Sequence, residues 1–392
     1  MSTDLPQTDG EHHAPPQAEL EAMAEEITHH HRSRFNSASE VVVLYTICLV
    51  VGLVLSGLLV ASTGGSWSSV FTAILDGSIR RPGRWGLTLS VAAPILLVGL
   101  GTAVNGQAGL VNIGQEGQLV MGAACACYVG VRIGGPGPLA LLIALAAGIV
   151  GGAIWAGIAG VLKYRRNVPE VLSTLLMGAI AANFIGWGLR NQYLLLAPPE
   201  GRANRNQVSQ PLATDRHIPR IRLFGNAFPL SVIAALIFAV IVAIVLSRTV
   251  VGFRLRMLGR NPRTAQRAGV SQERYGVGAM LVSGGFAGLA GGVMLAGGDF
   301  GNYQLVADFG AGIGFAGLLA ALVARQRALV LIFVAFIFAG LRTGSGFLRA
   351  TGVSARIADV VQGMLVLAML LPPAILYLGA RRRAIAATSA RT

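Results

Sequence analysis

Residues 105–118 read NGQAGLVNIGQEGQ and sit between two apolar runs, residues 87–104 and 119–131. Both flanking runs have the character of membrane spans. The link carries Asn105, Gln107, Asn112, Gln115, Glu116 and Gln118, with Leu110, Val111 and Ile113 interleaved and four glycines spaced through it. A water-facing loop has little use for those aliphatic side chains. A lipid-facing helix cannot hold that many amides, because each unsatisfied polar group in hydrocarbon costs several kcal/mol. The pattern predicts a broken helix or re-entrant turn, packed inside protein and lining a solute path. The competing reading is a short water-facing hairpin with helix caps.

Composition fits a membrane setting for that break. Of 392 residues, 54% are hydrophobic and 12% charged, whereas a soluble domain carries about twice that charge. Fifty-two glycines suit closely packed membrane helices. The fold expected is all-α: a polytopic membrane protein of about ten transmembrane helices, each of roughly 20 residues, with a broken or re-entrant central segment.

A net charge of +14 invites a nucleic-acid reading, which the distribution rejects. Eight of the 17 acids fall in residues 1–40, and the remaining arginines gather in the links between apolar runs. That arrangement sets orientation in a membrane. Cys48, Cys125 and Cys127 all lie in apolar runs and read as buried thiols, with no disulfide framework and no metal site.

Residues 1–40 are polar and hold five of the six histidines, and a disordered cytoplasmic tail is expected there. The membrane-spanning body is expected to cover residues 41–380. Spans are predicted at 41–61, 87–104, 119–131, 139–162, from Pro169, at 230–246, 277–297, 309–324, from Ala328 and at 357–378, with a short helix at 67–75. Pro94 is expected to kink the second span. Pro169 and Glu170 form a favourable helix start, and structural duty explains Glu170. Asn183 lies in mid-span, where an amide faces a partner or a cavity. Phe184, Trp187 and Tyr193 follow it, as either an interfacial belt or a guide for a flat ring. Residues 191–228 form a long insert with four prolines and five arginines, either a folded cap or a docking surface.

Residues 248–275 carry seven arginines and one acid, yet also an apolar side. Within them Asn261 and Pro262 signal a helix start, and Gly269 a stop, so a short helix is expected from Pro262 to Ala268 across the mouth of the bundle. With the N-terminus inside, this segment, residues 163–166, 325–327 and the tail 381–392 are cytoplasmic, as the positive-inside rule requires. The cluster Arg80, Arg81 and Arg84 then falls outside, against the rule's grain.

Two stretches together resemble a known family. TLSVAAPILLVGLGTAV (residues 88–104) followed by GLVNIGQEGQLVMGA (109–123) is similar to the central motif of ABC-importer permeases of the branched-chain amino acid, ribose and nucleoside type. VGFRLRMLGRNPRTAQRAGV (251–270) resembles the loop of those permeases that docks on the ATP-binding subunit, and SGGFAGLAGGVM (283–294) continues the likeness. The glycine, asparagine and glutamate positions lean towards nucleoside-type members. The resemblance implies a non-enzymatic subunit of the bacterial-type inner (plasma) membrane. It works with a second permease, ATP-binding subunits that hold ATP and Mg, and an extracytoplasmic solute-binding protein. Asn105, Gln107, Asn112, Gln115, Glu116 and Asn183 would line the path. Arg260, Asn261, Pro262, Arg263, Ala265, Arg267, Ala268 and Gly269 would couple it to ATP hydrolysis.

The chain lacks GxxxxGK[ST], so hydrolysis belongs elsewhere, and no cofactor is expected in this chain. Alternatives are a permease for a sugar or branched-chain amino acid, or an ion-coupled secondary transporter using Glu116. A passive channel has no need of a docking helix. An intramembrane enzyme needs a nucleophile and base that are not evident.

Overall fold

The computed structural model describes residues 68–198, 207–223 and 225–348, most of 43–66, and scattered positions between 353 and 375. The tails at 1–40 and 381–392 and half of the span expected at 357–378 lie outside the described residues.

Among the described residues, six helices are long and apolar enough to cross a membrane: α3 (Arg84–Gln107), α5 (Gly137–Arg166), α6 (Glu170–Gly188), α7 (Ser231–Arg248), α10 (Gln272–Gly297) and α12 (Ala328–Leu348). The expectation of about ten exceeds this number for physical reasons. Helices α1 (Thr46–Ser62) and α11 (Ile313–Val323) are apolar but shorter. Helix α4 (Gln115–Arg132) opens on Gln115, Glu116 and Gln118, which lower its hydropathy. Short helix α2 (Ser68–Leu75) lies where expected and runs into a π-helical turn, Asp76–Arg80.

Helices α3 and α10 form the centre. Of their apolar stretches 89% and 83% are buried, against 28% for α5 and α6, which form the rim. Glycine permits this packing. A Cβ at Gly101 of α3 would stand 2.7 Å from the Ser283 carbonyl of α10, and one at Gly152 of α5 would stand 2.7 Å from Gly288 Cα. Close backbone approach of this kind gives van der Waals contact where no hydrophobic force drives helices together. Pro94 sits buried inside α3.

The insert is a folded cap, and it departs from the all-helical expectation. Strands β1 (Arg220–Leu223) and β2 (Asn226–Pro229) pair antiparallel about a turn in which Gly225 takes φ +74°, a left-handed conformation cheap only for glycine. Arg220 pairs with Asp299 at 2.6 Å and donates to the Gly297 carbonyl at 2.8 Å. The His217 ring stacks on Tyr303 with centroids 3.4 Å apart. The cap is thereby fastened to the C-terminal end of α10.

The basic links gather at the opposite end. Arg165 at the end of α5 pairs with Glu273 at the start of α10, 3.1 Å apart. A Cβ at Gly106 would collide with the side chain of Gln326, in the tight turn 325–327. Arg81 and Arg84 instead lie near the cap, over the Phe347 ring at 4.6 and 4.8 Å, and Gly86 abuts the Ala227 backbone of β2. The arginine cluster that ran against the charge rule is thus at the far end from the basic links.

Candidate functional site: the broken segment and the docking helix

Helix α3 stops at Gln107, and the chain turns at Gly109 with φ +73°. Residues 110–113 carry no regular secondary structure before α4 begins at Gln115. An irregular backbone inside protein needs partners for its polar groups. Asn105 carbonyl accepts from Leu110 N–H at 3.2 Å. Ile113 N–H donates to Thr174 Oγ1 of α6 at 3.3 Å, and Gly114 N–H to Asn112 Oδ1 at 3.1 Å. Glu170, held by Lys163 at 2.7 Å, faces the Val111 N–H. Its part is structural.

The amides of the break point inward. Asn112 and Gln118 donate to one another's carboxamide oxygens, each at 2.9 Å. Asn112 also donates to Ser283 Oγ of α10 at 3.1 Å. Gln115 donates to the Thr102 hydroxyl of α3 and, at 3.4 Å, to Ser283. One serine of α10 therefore joins the break to the centre of the bundle. Asn105 is only 1% exposed, and neither polar atom of its carboxamide has a partner among the described residues; the same holds for Gln115 Oε1.

Glu116 does something that the sequence did not announce. Its carboxylate accepts from Gly312 N–H at 2.6 Å and Phe315 N–H at 3.3 Å, so it caps the start of α11 from another helix. Negative charge at a helix N-terminus meets unsatisfied N–H groups and the positive end of the dipole. Gly314 makes room, since a Cβ there would stand 2.5 Å from the Glu116 backbone nitrogen. The one sequence signal was the glycine-rich run at 310, 312 and 314.

Gln107 and Glu116 are half-buried, whereas Asn105, Asn112 and Gln115 are buried. Asn183 lies apart from them. It is exposed on α6, donates to the Ala179 carbonyl at 2.9 Å, and neighbours the Phe184–Trp187 ring pair at 5.6 Å.

Past α7, the amphipathic helix α8 (Val250–Arg260) buries Leu255 and Leu258 and is capped by Thr249, whose hydroxyl accepts from Gly252 N–H at 3.3 Å. Helix α9 (Pro262–Arg267) follows. Asn261 caps it, accepting from Thr264 N–H at 3.1 Å, and Pro262 presets its first turn. Ala268 closes it, and Gly269 leaves with φ +79°. Gln272 ties α10 to this helix through the Pro262 carbonyl at 2.9 Å. Ala265 is fully buried within the chain, so the outward face consists of Pro262, Arg263, Thr264, Gln266, Arg267 and Ala268, with Arg260 and Asn261 exposed before it.

The break touches α8, the helix that leads into α9. A Cβ on Gly109 would lie 2.9 Å from Gly259 Cα, and one on Gly259 would lie 2.8 Å from the Gly109 nitrogen. Gly259 is two residues before the cap of α9.

The family model for the branched-chain amino acid transport system permease component matches residues 86–370, from α3 through the break and α9 to α12 and beyond. The chain belongs to that permease family. This permease is 31% identical to the guanosine ABC transporter permease protein NupP of Bacillus subtilis over 324 residues, 82% of this chain and 90% of that protein. It is 27% identical to the nucleoside ABC transporter permease protein NupB of Lactococcus lactis, over 84% and 91% of the two chains. It is 32% identical to the glucose ABC transporter permease protein TsgB13 of Haloferax volcanii, over 72% and 76%. A second permease protein of the same name type, NupQ in Bacillus subtilis and NupC in Lactococcus lactis, also matches it.

Proposed function

We propose that this permease forms, with a second related permease, the path of an ABC importer for nucleosides. The observation that carries the reading is the likeness to a guanosine permease along 90% of that protein's length. A capped, arginine-edged helix joined through α8 to a polar break supports the ABC class, since neither a channel nor an ion-coupled carrier needs one. The paired matches support a heterodimer. ATP and Mg belong to the ATP-binding subunits, and a solute-binding protein delivers from outside. Counting α1, α4, α11 and the segment at 357–378 as crossings gives ten, with both termini cytoplasmic.

In this reading Gln107, Glu116 and Asn183 border the path, and Asn105, Asn112 and Gln115 are the amides behind it. The unpartnered carboxamide of Asn105 supports that role, because a buried amide left unpaired costs about 1–3 kcal/mol. Arg260, Arg263 and Arg267 pair with acids of the ATP-binding subunit around α9. The likeness to a glucose permease keeps a sugar as the second reading.

Uptake of labelled guanosine by cells carrying the complete importer is the test. Unlabelled purine and pyrimidine nucleosides should compete, ATP depletion should stop uptake, and collapse of ion gradients should not. Competition by glucose or leucine alone overturns the substrate; dependence on an ion gradient overturns the class. Single cysteines replacing Gln107 and Glu116 should react with small polar thiol reagents in a transport-dependent way, and inertness at both removes them from the path.

A further inference from the structure

At the end of the bundle that holds the basic links, a cavity of about 380 Å³ opens between α7, α8 and the start of α12. Its walls are of two kinds. Leu246 of α7 and Leu329 of α12 belong to an aliphatic side. Arg256 and Arg327, with Gln107 and Gln326, form a polar side. Neither guanidinium has an ion-pair or hydrogen-bond partner among the described residues, where six other basic residues do pair with acids.

The surroundings decide what such a cavity takes. Leu329 is exposed and Phe333 is 72% exposed, so the α12 wall leads onto an apolar face of the spans. Val250, Val251 and Phe253 of α8 are exposed beside it, while Arg254 and Arg256 share the same helix. An amphipathic helix of this composition, at the end of a span, lies in the membrane interface. Two unpaired cations at the interface, above an aliphatic groove between two spans, complement a molecule with an anionic head and a hydrocarbon chain. A free phosphate has no use for the aliphatic wall, and a neutral lipid has none for the arginines.

We propose that this cavity is a binding site for an anionic phospholipid. The head-group phosphate lies on Arg256 and Arg327, and an acyl chain lies between α7 and α12. The site adjoins the break: Gln107 is the last residue of α3, and the Gln326 side chain fills the space over Gly106. A bound lipid thus braces the end of α3 where the chain turns into the break.

The test uses the assembled importer, purified in a mild neutral detergent and titrated with phosphatidylglycerol, phosphatidylcholine or inorganic phosphate while bound lipid is read by native mass spectrometry. Phosphatidylglycerol should bind with preference over phosphatidylcholine. R256Q with R327Q should weaken it by about tenfold or more, given the usual worth of a basic side chain at an anionic surface. L329W, which fills the aliphatic side and leaves both charges, should weaken it as well. R166Q with R274Q, at the same end of the bundle but outside the cavity and outside α9, should not. Equal binding of phosphatidylcholine, or full competition by inorganic phosphate, overturns the proposal. So does unchanged lipid binding in R256Q with R327Q, including the case where that variant instead sheds the ATP-binding subunit and so marks the cavity as a protein contact.

Discussion

Gly109 and Gly259 meet backbone to backbone: the turn that breaks the central helix rests against the last turn of the helix that leads into the docking segment. A Cβ on Gly109 would stand 2.9 Å from Gly259 Cα, inside the distance that real Cβ contacts tolerate. Replacing Gly259 by Val should wedge the two apart. The expected result is an inserted permease that still binds its ATP-binding subunit but takes up solute at least about tenfold more slowly, a barrier change of roughly 1.4 kcal/mol. Uptake at the normal rate in G259V would show that the contact transmits nothing.

Glu116 caps α11 across the bundle through Gly312 and Phe315. E116A should lower stability by about 1–2 kcal/mol, the usual range for a lost cap or a charge at a helix end. E116Q keeps an acceptor oxygen and should recover part of it. Thermal unfolding of the purified permease in detergent reads both. An E116A midpoint equal to the parent's would mean that the α11 end is satisfied in another way.

The Asn112–Gln118 pair predicts non-additivity. Either N112A or Q118A leaves the other carboxamide buried and short of a partner, at about 1–3 kcal/mol. The double variant removes both needs, so it should cost less than the sum of the singles. Three equilibrium unfolding measurements against the parent settle it, and simple addition would mean that the two amides act separately.

Ala265 and Ala268 separate fold from docking on one short helix. Ala265 is fully buried and Ala268 exposed. A265W should overpack the chain and reduce the yield of folded permease, since overpacking costs about 1–3 kcal/mol. A268E should leave folding intact and abolish co-purification of the ATP-binding subunit. Normal co-purification with A268E would remove α9 from the docking contact.

What could be read in advance was what local chemistry determines. Asn261, Pro262 and Gly269 carry a cap, a preset turn and a left-handed exit, and the helix between them appears where they place it. The crowd of amides in residues 105–118 demanded a buried break, and the break is there. The rest depended on partners distant in the chain. Nothing near Glu116 says that Gly312, 196 residues on, will donate to it. The inward turn of Ala265 follows from packing of α9 on its own chain, which no spacing in six residues can reveal. The hairpin at 220–229 is two four-residue strands, too short for an alternation to stand out beside four prolines.

Helix α10 starts at Gln272, tied to α9, and ends at Gly297, bonded to the cap. Its 26 residues span about 39 Å at 1.5 Å each, and Ser283, near its middle, holds the amides of the break. It is a single rod gripped at both tips and at its fulcrum. A tilt of about 5° about that fulcrum moves each tip by about 1.7 Å, in opposite directions. A push received at one end of the bundle therefore reaches the other as displacement, with no need for the helix to bend.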